Sequence, residues 1–254
     1  MSELDLALIA LAALVAGFIN AIAGGGTLIS FPALTFLGVP PVAANVTNTL
    51  ALLPGYLGGT LAQWEDIRAQ RKMLFLVLPL ALIGGLAGGM LLLATGEKLF
   101  RDIVPGLILL ASALLALQAP LRSWLLKRAA NRGKRELHGA WTFIPLLFAA
   151  VYGGYFGAGL SVIVLSALGL GSDESLTRLN ALKQAFAFAA NIAAALWFAF
   201  SGKAVWEAAL VMALAALAGG WLGGRFAGRI PPAILCWTVV AVGTVVGIVY
   251  LVRG

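Results

Sequence analysis

Charge is what this 254-residue chain has least of. Only 11% of its residues are charged, against 61% hydrophobic, and the mean hydropathy is +1.00. A soluble globular domain carries about a quarter charged residues, so that class is excluded and a polytopic membrane protein is expected. Cysteine is nearly absent. Cys236, in an apolar run, excludes a disulfide framework or a cysteine metal cluster and reads as a small buried apolar side chain. The one histidine, His138, lies among basic residues. With no Ser/His/Asp, metal-ligand or nucleotide-binding constellation elsewhere, neither enzymatic activity nor a cofactor is expected. Carboxylates are scarce as well. Glu3, Asp5, Glu65, Asp66, Glu97, Asp102, Glu136, Asp173, Glu174 and Glu207 all fall at the ends of apolar segments or between them. Metal-ion transport and carboxylate-relayed proton exchange are therefore disfavoured.

What the chain has is a series of apolar segments: 4–23, 27–39, 41–62, 73–95, 103–119, 139–157, 159–170, 176–200, 205–228 and 233–252. Most are long enough to span a bilayer. Segments 27–39 and 159–170 are too short to cross alone, and each follows a glycine-rich break: Gly24-Gly25-Gly26 in one case, Gly153 to Gly159 in the other. Irregular backbone survives in a bilayer only inside protein or along a cavity, so the breaks mark candidate binding regions. Asn48 finds a counterpart in Asn180, and Gly84-Gly85-Leu86-Ala87-Gly88-Gly89 in Gly219-Gly220-Trp221-Leu222-Gly223-Gly224. The expected fold is all-α, with two pseudo-symmetric halves, 1–120 and 139–254, joined by a basic cytoplasmic linker, 121–138. Five crossings per half give inverted repeats, with about twelve Lys/Arg on the cytoplasmic side against four outside. Four crossings give parallel repeats and a split of about eleven to five. The inverted arrangement, with the first two segments of each half forming a hairpin, is the one expected.

The net charge of +7 and pI near 10.0 come from residues in loops, densest at Arg122, Lys127, Arg128, Arg132, Lys134 and Arg135. Loop placement argues for anionic lipid headgroups and against nucleic acid. Trp64, Trp124, Trp141, Trp206 and Trp237 fall near segment ends, where interfacial aromatics belong.

Polar residues inside the apolar segments are the candidate site. Lys183 is the one intramembrane cation, and Asn180, Gln184, Ala187 and Asn191 share its face at helical spacing. Amide donors around an ammonium suit an oxyanion; the bland alternative is snorkelling of Lys183, with the amides holding helices together. In the first half Asn45, Asn48 and Thr49 share a face near a helix start, whose free N–H groups favour an anion; the bland alternative is that Asn45 and Thr47 are simple caps. The break itself offers the backbone N–H groups of Gly25, Gly26 and Thr27 at a helix start, and Asn20 precedes it by one turn.

Gly24-Gly25-Gly26-Thr27 followed by Pro32, then Pro40 to Asn48, resemble the first half of the TauE/SafE sulfite-exporter family; Asn180 to Gln184, Asn191, the turn Phe200 to Lys203 and Gly219 to Arg225 resemble its second half. The family's usual fourth glycine is Thr27 here, and the second break is less regular than the first. The resemblance implies a bacterial inner-membrane, multi-pass permease for sulfite, sulfonates or related anions. The expected function is thus export of a small anion through a site between the halves, at Lys183, Asn48, Asn180, Asn191, Gly25, Gly26, Thr27, Asn20, Thr47 and Gln184. An uptake permease for another organic acid and a non-transporting membrane scaffold are the alternatives.

Overall fold

The computed structural model describes residues 1–130, 140–171, 174–226 and 231–253. His138, Glu136, Asp173 and the basic residues Arg132, Lys134 and Arg135 lie outside the described residues. All described elements are helices: α1 (Glu3–Ile22), α2 (Thr27–Phe36), α3 (Pro41–Ala62), α4 (Trp64–Ala69), α5 (Arg71–Ala116), α6 (Gln118–Ala130), α7 (Ala140–Tyr155), α8 (Leu160–Gly171), α9 (Leu176–Ala199), α10 (Trp206–Phe226) and α11 (Pro232–Arg253). Five of these are long and apolar enough to cross a membrane. Large side chains such as Phe75, Leu214 and Trp221 are exposed, Leu214 by 72%. In water such a surface would aggregate; in lipid it costs nothing.

Local chemistry sets several boundaries. Ser2 and Asp5 cap the start of α1 reciprocally. Pro41 opens α3, where its missing N–H is not needed, and the Ser175 hydroxyl accepts the Arg178 N–H at the start of α9. Pro32 does not stop α2, which runs on to Phe36. The expected segments 73–95 and 103–119 correspond to the two arms of α5, separate helices that meet at Gly96 (φ 73°, ψ 170°), a backbone conformation open to glycine. Residues 121–130 of the expected linker are the greater part of α6.

Packing between the halves is reciprocal. A Cβ on Gly219 would collide with the Leu14 carbonyl and one on Gly17 with the Ala216 carbonyl, so α1 lies backbone to backbone on α10. In the same way Gly88 meets the Val151 carbonyl and Gly154 the Gly85 carbonyl, bringing α7 onto the first arm of α5. Small-residue faces permit this approach, and dispersion between close backbones holds helices that have no hydrophobic gain to make in lipid. The second arm of α5 runs antiparallel to α11, with Gly243 against Ser112, Gly247 against Leu109 and Cys236 Sγ on the Leu115 carbonyl.

α3 and α9 also run antiparallel. Gln63 faces Asn180 and Thr60 faces Gln184 at one end. Towards the other end of α3, Asn45 reaches the carbonyl of Tyr155, the last residue of α7. Measured from the helix starts, Asn45 stands where Asn180 stands, and Asn48 one turn on stands where Lys183 does.

The helix ends sort the charges. Arg68, Arg71, Lys72, Lys127, Arg178 and Arg225 lie at the end of the bundle that carries α4 and α6, while Lys98, Arg101, Lys203 and Arg253 lie at the other. Replacing Gly88 by alanine should destabilise the protein by about 1–3 kcal/mol or prevent folding, since backbone on the facing helix cannot yield to a methyl group. Gly224→Ala, where an added Cβ meets nothing within 4 Å, should be neutral. Thermal unfolding of the two variants in detergent checks this.

Candidate functional site

The first break begins as a left-handed helix cap. Ala23 and Gly24 both donate their N–H to the Ile19 carbonyl, at 2.8 and 3.1 Å, with Gly24 at φ 80°. The chain then folds back, so that a Cβ on Gly26 would collide with the Ala16 carbonyl. Gly26 N–H reaches the Asn20 side-chain oxygen at 3.5 Å. Where α2 starts, Leu28 N–H bonds the Gly25 carbonyl and Ser30 N–H the Gly26 carbonyl. The Gly25 and Thr27 amides meet no acceptor among the described residues.

Ser30 carries the next link. Its hydroxyl lies 2.5 Å from Asn48 Oδ1 and 3.1 Å from the Gly26 carbonyl, and donates its single proton to the nearer oxygen; Ser30 is 0% and Asn48 2% exposed. With the Asn48 oxygen occupied in this way, its NH2 is the donor left over. Asn20, Gly25, Gly26, Thr27, Ser30 and Asn48 thus form one neighbourhood at the positive end of α2, rich in N–H donors and without a carboxylate. Such an arrangement suits a small anion.

Lys183 lies elsewhere. Its ammonium donates to Asn180 Oδ1 at 2.6 Å, and Asn180 Nδ2 donates to Gln63 Oε1 at 3.1 Å. Gln184 packs its side-chain amide against Gly59, and its carbonyl lies 3.5 Å from the Thr60 hydroxyl. Along α3, Gln63 is about 22 Å from Asn48. The cluster of Lys183, Asn180, Gln184 and Gln63 therefore belongs to the end of the bundle that carries α4 and α6.

Two expected residues face other structures. Thr47 is fully buried, and its hydroxyl accepts the Val205 N–H at 3.0 Å, tying α3 to the turn before α10. Asn191 donates one Nδ2 proton to the Ala187 carbonyl at 2.8 Å, and its oxygen lies towards Gly157 of the second break. Asn45 does not cap α3, since Pro40 holds that position; its Nδ2 donates to the Tyr155 carbonyl at 2.7 Å. Between the breaks, the rings of Phe31 and Phe156 meet edge-on at 5.5 Å, and Phe100 packs on both.

Sequence reasoning missed Ser30 and Gln63, the partners of Asn48 and Asn180. The periodicity of α2 places Ser30 one turn beyond Gly26 on the same face. Nothing local marks Gln63, whose partner comes from another helix.

Residues 9–250 match the family model described as sulfite exporter TauE/SafE. The chain belongs to the TauE/SafE sulfite exporter family. It is 32% identical over 229 residues to a probable membrane transporter protein, ORF9, of Sinorhizobium sp, covering 87% of this chain and 83% of the relative. It is 29% identical over 211 residues to a probable membrane transporter protein of Haemophilus influenzae, covering 83% and 80%. Against the probable membrane transporter protein YfcA of Escherichia coli K12 it is 26% identical over 230 residues, covering 91% and 82%. No solved structure matches significantly. As a TauE/SafE member the chain is a membrane transporter, and its helical, lipid-facing build agrees.

Ser30→Ala leaves the buried Asn48 oxygen without a donor and should cost about 1–3 kcal/mol. Adding Asn48→Ala to it should cost less than the two single changes taken together, a coupling that a double-mutant cycle of unfolding free energies reads directly.

Proposed function

We propose that this transporter exports a small sulfur oxyanion or organosulfonate from the cytoplasm. The observation that carries the reading is the donor neighbourhood at the start of α2, where the Gly25 and Thr27 amides and the Asn48 NH2 find no acceptor among the described residues. A desolvated anion needs such donors in place of water, and the positive end of α2 favours its charge.

In this reading the Lys183, Asn180 and Gln63 cluster is the cytoplasmic mouth. It draws the anion in by charge before the anion moves inward to Asn48. The richer Lys/Arg content of the end carrying α4 and α6 supports a cytoplasmic assignment for that end, in a bacterial inner membrane. A negative cell interior then drives a monovalent anion outward by roughly 2.3 kcal/mol per 100 mV. The Phe31, Phe100 and Phe156 rings close the far side of the donor neighbourhood and would have to part for release. The antiparallel pairing of α3 with α9 and the exchanged contacts of α1 with α10 and α7 with α5 support two inverted repeats, 1–120 and 139–254.

Flux into proteoliposomes under an imposed potential, with sulfite, sulfate, thiosulfate, small sulfonates and acetate offered in turn, tests this. Saturable, potential-sensitive flux of a sulfur oxyanion or sulfonate is expected. Lys183→Ala should reduce it at least tenfold while leaving the amount of folded protein unchanged, and Lys183→Arg should retain part of it. Flux of acetate alone, or undiminished flux in Lys183→Ala, would overturn the assignment.

A further inference from the structure

The second break has the opposite chemistry to the first. Asn45 is 1% exposed and gives its NH2 to the Tyr155 carbonyl, and its Oδ1 is buried with no hydrogen-bond partner. Asn191 is 4% exposed and gives its NH2 to the Ala187 carbonyl. Its Oδ1 lies 3.9 Å from the place a Cβ on Gly157 would take, and no described residue donates to it. Two side-chain oxygens, one from each half of the chain, therefore flank residues 155–157.

The backbone adds further acceptors. Tyr152 O takes the N–H groups of both Phe156 and Gly157. The Gly157 N–H is thereby diverted from the Gly153 carbonyl it would bond in a continuing helix. Gly153 and Gly154, both buried, keep carbonyls that receive no hydrogen bond from a described residue. They close the C-terminal end of α7, the negative pole of its dipole. A buried side-chain acceptor left unpaired, as Asn45 Oδ1 is, is costly and in a native structure asks for an occupant. An anion is excluded, because lone pairs would face its charge.

We propose that the break between α7 and α8 binds a small monovalent cation of Na⁺ size through Asn45 Oδ1, Asn191 Oδ1 and the carbonyls at the end of α7. The neutral ligand set selects the charge, because a divalent ion in so buried a place would call for carboxylates. Helix ends and unwound carbonyls are a recurring way of holding Na⁺ inside transporters. The first break cannot do the same, since the Asn20 oxygen there already accepts the Gly26 N–H. Asn45 stands one turn from Asn48 on α3, so an ion at the second break attracts an anion at the first through a short, water-poor path. The cation site does not depend on that anion, and binding is measured without it.

The test is thermal unfolding of the purified full chain in detergent, titrated with NaCl against choline chloride at constant ionic strength, with KCl as a size control. Sodium should raise the melting temperature saturably, potassium less, and choline not at all, by the linkage of ligand binding to stability. Asn191→Ala removes one ligand oxygen and only a local helix bond, and should weaken the sodium dependence at least tenfold. Asn45→Ala should do so too; if it does not fold, Asn191→Ala decides alone. Identical curves in sodium and choline for the wild type would mean that the oxygens hold water and would overturn the proposal. So would a sodium shift unchanged in Asn191→Ala. Neither result bears on the flux of a sulfur anion, which is read separately in choline salts.

Discussion

Backbone polar groups have no water to turn to inside a bilayer, and the architecture answers to that constraint. Nearly every helix satisfies it internally, but α1 and α7 end within the protein, and their final carbonyls and the first amides of α2 and α8 must be dealt with there. Folding the chain back after Gly24 and after Gly157 hides both ends among other helices. The concealment requires tight packing, and the glycine faces of α10 and of the first arm of α5 supply it by meeting α1 and α7 at backbone distance. Packing and polarity are thus one problem here: loosening either glycine seam would admit lipid to the unpaired groups at a break.

The two breaks share a turn and differ in what faces it. Ala23 and Gly24 in one, Phe156 and Gly157 in the other, donate to a single carbonyl of the preceding helix. At the first, Ser30 occupies the oxygen of Asn48 and leaves donors unpaired. At the second, Asn45 and Asn191 each donate an N–H to a carbonyl, of Tyr155 and Ala187, and turn their oxygens to the break, that of Asn45 buried and unpaired. Identical residue types acquire opposite chemistry because an amide has two faces and the neighbour decides which is presented. α3 passes both breaks, holding Asn48 at one and Asn45 at the other, so displacement of that helix moves both neighbourhoods together.

Composition and hydropathy alone determined that the chain is a polytopic helical membrane protein, because the cost of exposing or burying so much apolar surface leaves no other solvent. Most segment boundaries were legible to within a few residues; that 73–95 is separated from the next helix by a sharp break at Gly96 alone is seen only in its φ and ψ. The glycine breaks and the polar residues of α3 and α9 were also legible, since each violates the pattern required by lipid. What tertiary structure decided was their grouping. Lys183 and Asn48 suit one anion on paper, yet about two-thirds of a membrane thickness of helix lies between Asn48 and Gln63, the residue facing the Lys183 cluster. Whether Asn191 offers N–H or oxygen turns on one carbonyl a helical turn away. A linear sequence specifies which groups can bond, and only packing specifies which partner reaches them first.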